Sequence, residues 1–142
     1  MKKSILFIIL ICTTIISAQG NLKFPVEVSH SGIDIVGGRL AFAIKERIRK
    51  SESLQLSYSQ ELRIVIILIT LDQYKDQPGT SSCYSFTLCL DDPNQLFRYY
   101  ITSSVGYCGS SRVDEVAEGF VADTDKEIER LLKLANQSQP NK

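Results

Sequence analysis

The chain reads as an α+β two-layer sandwich of order β-α-β-β-β-α, with two helices on one face of a four-stranded mixed sheet. Three observations predict this. Apolar and polar residues alternate in three separate segments, as strands with one buried face require. In two others the apolar residues recur every three to four positions, the period of an amphipathic helix. Residues 62–72, LRIVIILITLD, are β-branched and apolar at both parities, as in a strand near the centre of a sheet.

The opening stretch, MKKSILFIILICTTIISAQG, stands apart. Lys2 and Lys3 precede an apolar run from Ile5 to Ile16, followed by the small residues Ser17 and Ala18, the layout of a secretory signal peptide. The run is shorter than the ~20 residues that span a bilayer. Residues 1–19 are therefore expected to be cleaved, leaving one domain over 20–136 and a disordered tail over 137–142. Ile11, ahead of Cys12, is too large for a lipoprotein signal. In the whole chain 16 basic residues balance 16 acidic ones. Losing Lys2 and Lys3 tips the exported form slightly acidic, the wrong sign for a nucleic-acid partner. The address is the periplasm or the extracellular space.

Each element of the domain follows in order. In LKFPVEVSH, residues 22–30, Phe24, Val26 and Val28 alternate with polar neighbours, and Pro25 suits an edge or a strand start; residues 29–32 break the pattern. Over residues 34–50, Val36, Leu40, Ala43, Ile44 and Ile48 form a helical stripe, with Asp34 placed to cap it. After the central strand, Pro78-Gly79 marks a turn. In residues 83–92, CYSFTLCLDD, one parity carries Tyr84, Phe86, Leu88 and Leu90. A turn at residues 91–95 leads into LFRYYITSSV, residues 96–105, with Phe97, Tyr99, Ile101 and Val105 on one face. The last helix, residues 112–135, carries Val113, Ala117, Phe120, Thr124, Ile128 and Leu131 on one side. Ser111 with Asp114 resembles its capping box, and Gly119 inside it implies a close packing contact or a bend.

The two alternating segments form a hairpin. A turn centred between Pro93 and Asn94 sets Thr87 opposite Tyr100, Ser85 opposite Thr102 and Cys83 opposite Ser104. Cys83 and Cys89 lie on one strand about 20 Å apart, too far to bond. Cys108 leaves the hairpin at the end where Cys83 stands, so the expected disulfide is Cys83–Cys108, closing a loop worth ~3 kcal/mol. The competing reading makes Cys108 a nucleophile at a helix N-terminus, with His30, the chain's only histidine, as its base.

Other signals are thin. Residues 123–127, DTDKE, lack the glycine and spacing of a calcium loop, and SGIDIVGGRL matches neither phosphate-binding nor dinucleotide patterns. No cofactor or metal is expected. The first helix is basic (Arg39, Lys45, Arg47, Arg49 and Lys50 against Glu46), which either solubilises it or offers contact to an anionic membrane surface, while the last helix is acidic. The polar face of the hairpin gathers Ser85, Thr87, Arg98, Tyr100 and Thr102, and tyrosine and arginine are the side chains that anchor protein interfaces.

GRLAFAIKERIRKS, RIVIILITLD and YYITSSVGYCGSSRVDEVAEGFVADTDKEI together resemble small exported bacterial proteins of uncharacterised function. In topology the chain is similar to α/β modules of envelope assembly, such as the N-terminal domain of the Tol-system propeller protein and the outer-membrane activators of peptidoglycan synthases. That resemblance implies no catalytic residues. The expected function is a non-catalytic interaction module that binds an envelope or extracellular protein through a sheet face or edge. The alternatives are a thiol enzyme using Cys108 and His30, or an inhibitor or immunity-like protein against a secreted hydrolase.

Overall fold

The computed structural model describes residues 23–137. The expected signal peptide at 1–19 and residues 138–142 of the expected tail lie outside that span. The elements are β1 (Phe24–Ser31), α1 (Ile35–Lys50), β2 (Leu54–Leu56), β3 (Arg63–Asp72), β4 (Ser81–Asp91), β5 (Tyr99–Gly109) and α2 (Val113–Gln137). The α+β class and the pair of helices stand as expected. The sheet has five strands instead of four, in the order β2-β1-β3-β4-β5. The added strand is Leu54-Gln55-Leu56, an alternation too short to stand out from a loop. It pairs in parallel with β1, which also pairs in parallel with β3, while β3–β4 and β4–β5 are antiparallel.

α1 begins where Asp34 accepts the Gly37 amide at 2.7 Å, the expected cap. It buries Val36, Leu40, Ile44 and Ile48 against Val26, Val28, Ile64, Ile66 and Leu68 of the sheet. α2 covers the hairpin side of the same face. Its Phe120 stacks on Phe86 with ring centroids 4.1 Å apart and takes Tyr84 edge-on at 5.0 Å. Tyr84 can lie there because it crosses β5 at Gly106, where a Cβ would come within 2.7 Å of its hydroxyl. The helices run parallel: Ile35 and Val113 border one groove, and further along Arg47 reaches Glu118 at 3.3 Å. So the basic helix meets the acidic one, through an exposed pair worth at most about 1 kcal/mol. Ser111 lies ahead of α2, whose first helical bond runs from the Val116 amide to the Arg112 carbonyl. Gly119 has open space around its Cβ position, so close packing does not explain it.

Two glycines position α1 over the sheet. A Cβ on Gly37 would fall 2.0 Å from Thr70 Oγ1 and one on Gly32 would fall 2.3 Å from it, so the first turn of the helix rests directly on β3. At Pro78-Gly79 the expected turn is present: Gly79 has φ 81° and the Thr80 amide donates to the Gln77 carbonyl, the signature of a type II turn.

Candidate functional site

Both helices pack on one side, so among the described residues no element lies over the other face of the sheet. Register places its side chains in rows. Across β3, β4 and β5 the rows are Leu71-Cys83-Tyr107, Ile69-Ser85-Val105, Ile67-Thr87-Ser103 and Val65-Cys89-Tyr100. Val65 and Cys89 are buried, but exposure rises along β3, where Ile69 is 53 % exposed and Leu71 69 %, and the β5 members of the rows are all exposed, with Tyr100 and Tyr107 at 65 % and Val105 at 80 %. No charged residue stands in these four rows. The charges collect at the far end, where Arg63 meets Glu27 at 2.9 Å and Asp91 at 2.8 Å, and Arg98 reaches Asp91 at 3.4 Å. The face is thus apolar at one end and clasped by ion pairs at the other, with hydroxyls between.

The expected hairpin patch is divided by this geometry. Ser85, Thr87 and Tyr100 lie on the open face, Arg98 lies in the loop before β5, and Thr102 turns to the helix side opposite Leu88. The cause is a β-bulge. Leu90 faces Tyr99 but Leu88 faces Thr102, so β5 spends three residues where β4 spends two. An extra residue in the strand sends every later side chain to the opposite face. Beyond Ile101 the even-numbered residues Thr102, Ser104 and Cys108 therefore look toward the helices, and Val105 and Tyr107 look outward. Thr102 and Ser104 avoid a dry environment because they line a cleft beside Asp123 and Lys126 of α2.

The same bulge overturns the expected disulfide. Ser82, not Cys83, pairs with Cys108, and Cys83 pairs with Tyr107 on the outer face. The two sulfurs lie on opposite sides of the sheet, and Cys83, Cys89 and Cys108 are all free thiols. β5 also continues to Gly109, so Cys108 is a strand residue, fully buried, and not a residue curling toward a helix. Burial pushes its thiol pKa up, against the weaker opposing pull of Arg112 and Arg39.

His30 lies within β1 instead of in a break after it. It stands in a row with Leu68, Phe86 and Ser104, which puts Cys108 three strands away, about 14 Å across the sheet before the offset along β5 is added. What His30 does meet is Thr70, at 2.8 Å from Nε2 to Oγ1, and Thr70 donates to Asp34 Oδ1 at 2.6 Å. A hydroxyl has one proton to give, and here it goes to the carboxylate. The ring must therefore carry its proton on Nε2 and donate it to Thr70. Burial lowers the His30 pKa, outweighing the Asp34 charge that raises it. For Asp34 burial acts upward, but the hydroxyls of Thr70 and Ser82 and the Gly37 amide together hold its carboxyl below the ordinary range. The relay was missed in the sequence because its members are spread over residues 30–82; the Asp34 cap was its one visible sign. It faces the packed interior at the start of α1 and braces helix to sheet.

Among the described residues no group of three His, Cys, Asp or Glu side chains could hold a metal ion, and no helix is long and apolar enough to cross a membrane.

No protein-family model matches the chain, and no curated protein matches it in sequence. Its fold is shared with protein XCC0632 from Xanthomonas campestris, of family DUF330. The TM-score is 0.58 over 82 % of this chain and 92 % of that one, at 9 % identity. At that identity the likeness is one of fold alone. Looser overlaps occur with a minor lipoprotein from Acinetobacter baumannii (TM-score 0.41, 10 % identity, 77 % of this chain and 94 % of that one) and rare lipoprotein B from Shewanella oneidensis (0.32, 17 %, 78 % and 97 %). Neither carries an argument about this chain. None of the three is a Tol-system module or a synthase activator, so that topological resemblance gains no support from them.

Proposed function

We propose that the chain is an exported, non-catalytic interaction module whose open sheet face docks a protein partner of the envelope or extracellular space. The observation that carries this reading is the pair of rows Ile69-Ser85-Val105 and Leu71-Cys83-Tyr107, uncharged and apolar at both flanks, on a face that no described element covers. Exposed apolar side chains are ordinary one at a time, whereas a contiguous group with a polar rim marks an interaction surface. The fitting partner is a protein surface that is itself apolar at its centre. Its rim would meet the Arg63, Asp91 and Arg98 cluster. The leader-like residues 1–19 support the address.

The non-catalytic part of the reading is supported by the separation of Cys108 from His30 and by the raised thiol pKa, which together remove the nucleophile and its base from each other's reach. Photo-crosslinking in the native host tests the docking face, with benzoylphenylalanine in place of Leu71 on the face and of Glu129 on α2. Discrete adducts from position 71 and none from position 129 are expected. No adduct at 71, or equal adducts at both, would contradict the reading.

A further inference from the structure

The two edges of the sheet are treated differently. β2 closes one edge with three residues, a length that gives an incoming strand little to pair with. β5 forms the other with eleven, YYITSSVGYCG, which contain no charged residue and no proline. Natural edge strands are usually blunted by a lysine, a proline, a bulge or brevity, because their outward amides and carbonyls are a template for another strand. Here the bulge at Ile101 disturbs only the turn end, leaving residues 102–109 regular. Among the described residues the one backbone hydrogen bond that reaches β5 from outside the β4 ladder runs from the Arg112 amide to the carbonyl of Gly109, its last residue, at 2.9 Å.

We propose that β5 pairs antiparallel with β5 of a second copy, joining two five-stranded sheets into one of ten strands. Three features favour a second copy over a foreign strand. A two-fold axis brings like against like, so a charged edge repels itself, and this edge has no charge to repel with. Val105 lies near the middle of the regular stretch 102–109, and an axis at that residue sets Val105 directly opposite Val105 of the second copy. Val105 is the most exposed apolar side chain of the strand, and the pairing would cover it. Along the cleft beside β5, α2 presents Lys126 between Asp123 and Glu127, so the helices of the two copies would meet with both signs. The inference does not rest on the docking reading: the axis stands normal to the sheet at the seam, so the two open faces lie side by side on one side of the joined sheet with nothing laid over them.

Light scattering on the exported form over a two-decade concentration range tests it, with amide exchange read in parallel. The expected mass rises toward twice that of one chain, and alternate amides in residues 102–109 exchange about tenfold or more slowly in the concentrated sample. Val105→Lys, at an exposed site that leaves folding intact by circular dichroism, is expected to be monomeric, as is Val105→Glu, and an equal mixture of the two to associate again. Leu71→Lys, two strands inward, is expected to associate like the wild type. A wild type of single-chain mass throughout overturns the proposal, as does a Val105→Lys dimer or a mixture that stays monomeric. Association lost in Leu71→Lys also overturns it, by showing that the faces pack instead.

Discussion

Thr70, in the last third of β3, donates its hydroxyl proton to Asp34 at the head of α1 over 2.6 Å, and both are buried. The bond links the sheet to the helix cap, and removing the donor leaves a buried carboxylate short of a partner. Thr70→Val is therefore expected to lower stability by about 1–3 kcal/mol, in urea titrations, while Thr70→Ser keeps most of it. Equal stability for valine and threonine would show that the bond contributes nothing.

The same relay sets an acid limit. Asp34 is held below its ordinary pKa, so its contribution is complete above the unfolded carboxylate range and is lost as pH falls through the lowered folded value. His30 is also lowered, so between its ordinary value near 6.5 and the lower folded one the unfolded chain binds more protons and stability drops. Both slopes have one sign. Stability should fall steadily from neutral to acid pH, and His30→Asn should flatten the upper part of that curve. In nitrogen NMR at neutral pH the His30 ring is expected as the Nε2–H tautomer; the Nδ1–H form would contradict the proton order in the relay.

Neighbouring glycines of α1 should respond in opposite directions. Gly37→Ala drives a methyl into Thr70 and is expected to cost about 2 kcal/mol or more. Gly38→Ala and Gly119→Ala place theirs in open space and should each stabilise by about 0.5–1 kcal/mol. Thermal melts of the three variants check this, and a stabilised Gly37→Ala would show that α1 does not rest on β3.

The cysteines give a count. A chain lacking residues 1–19 should show three titratable thiols in denaturant and the same mass with and without reductant. In the folded state Cys83, half-exposed on the open face, should alkylate first, and Cys108 only as fast as the structure opens. A form two hydrogens lighter before reduction would restore the bridge.

Element types were legible because each rests on local periodicity: Val36, Leu40, Ile44 and Ile48 announce a helix, and Ile64 to Leu68 a central strand. The hairpin face was not. The alternation through Tyr99 and Ile101 points the right way at Tyr99, and one inserted residue reverses it for Val105 and Tyr107. No local signal in TSSVGYCG announces that extra residue. The candidate site follows the same division: Ser85, Thr87 and Tyr100 lie on the open face, where Val105 joins them against the sequence alternation, and Ile69 and Leu71 belong to a strand whose two apolar parities do not say which face is uncovered. Leu71 alternates with Thr70 in plain view, but an apolar residue on an uncovered face looks the same in sequence as one beneath a helix.

The insertion of β1 between β2 and β3 orders events in time. As the polypeptide emerges from its N-terminal end, β1 finds no native neighbour until Leu54 has appeared, and its longer neighbour only over Arg63–Asp72. The chain must be available through Asp91 before β3, the central strand, has both of its neighbours. Assembly of this molecule therefore waits on residues far along the chain, and its first strand stays unpaired until they arrive.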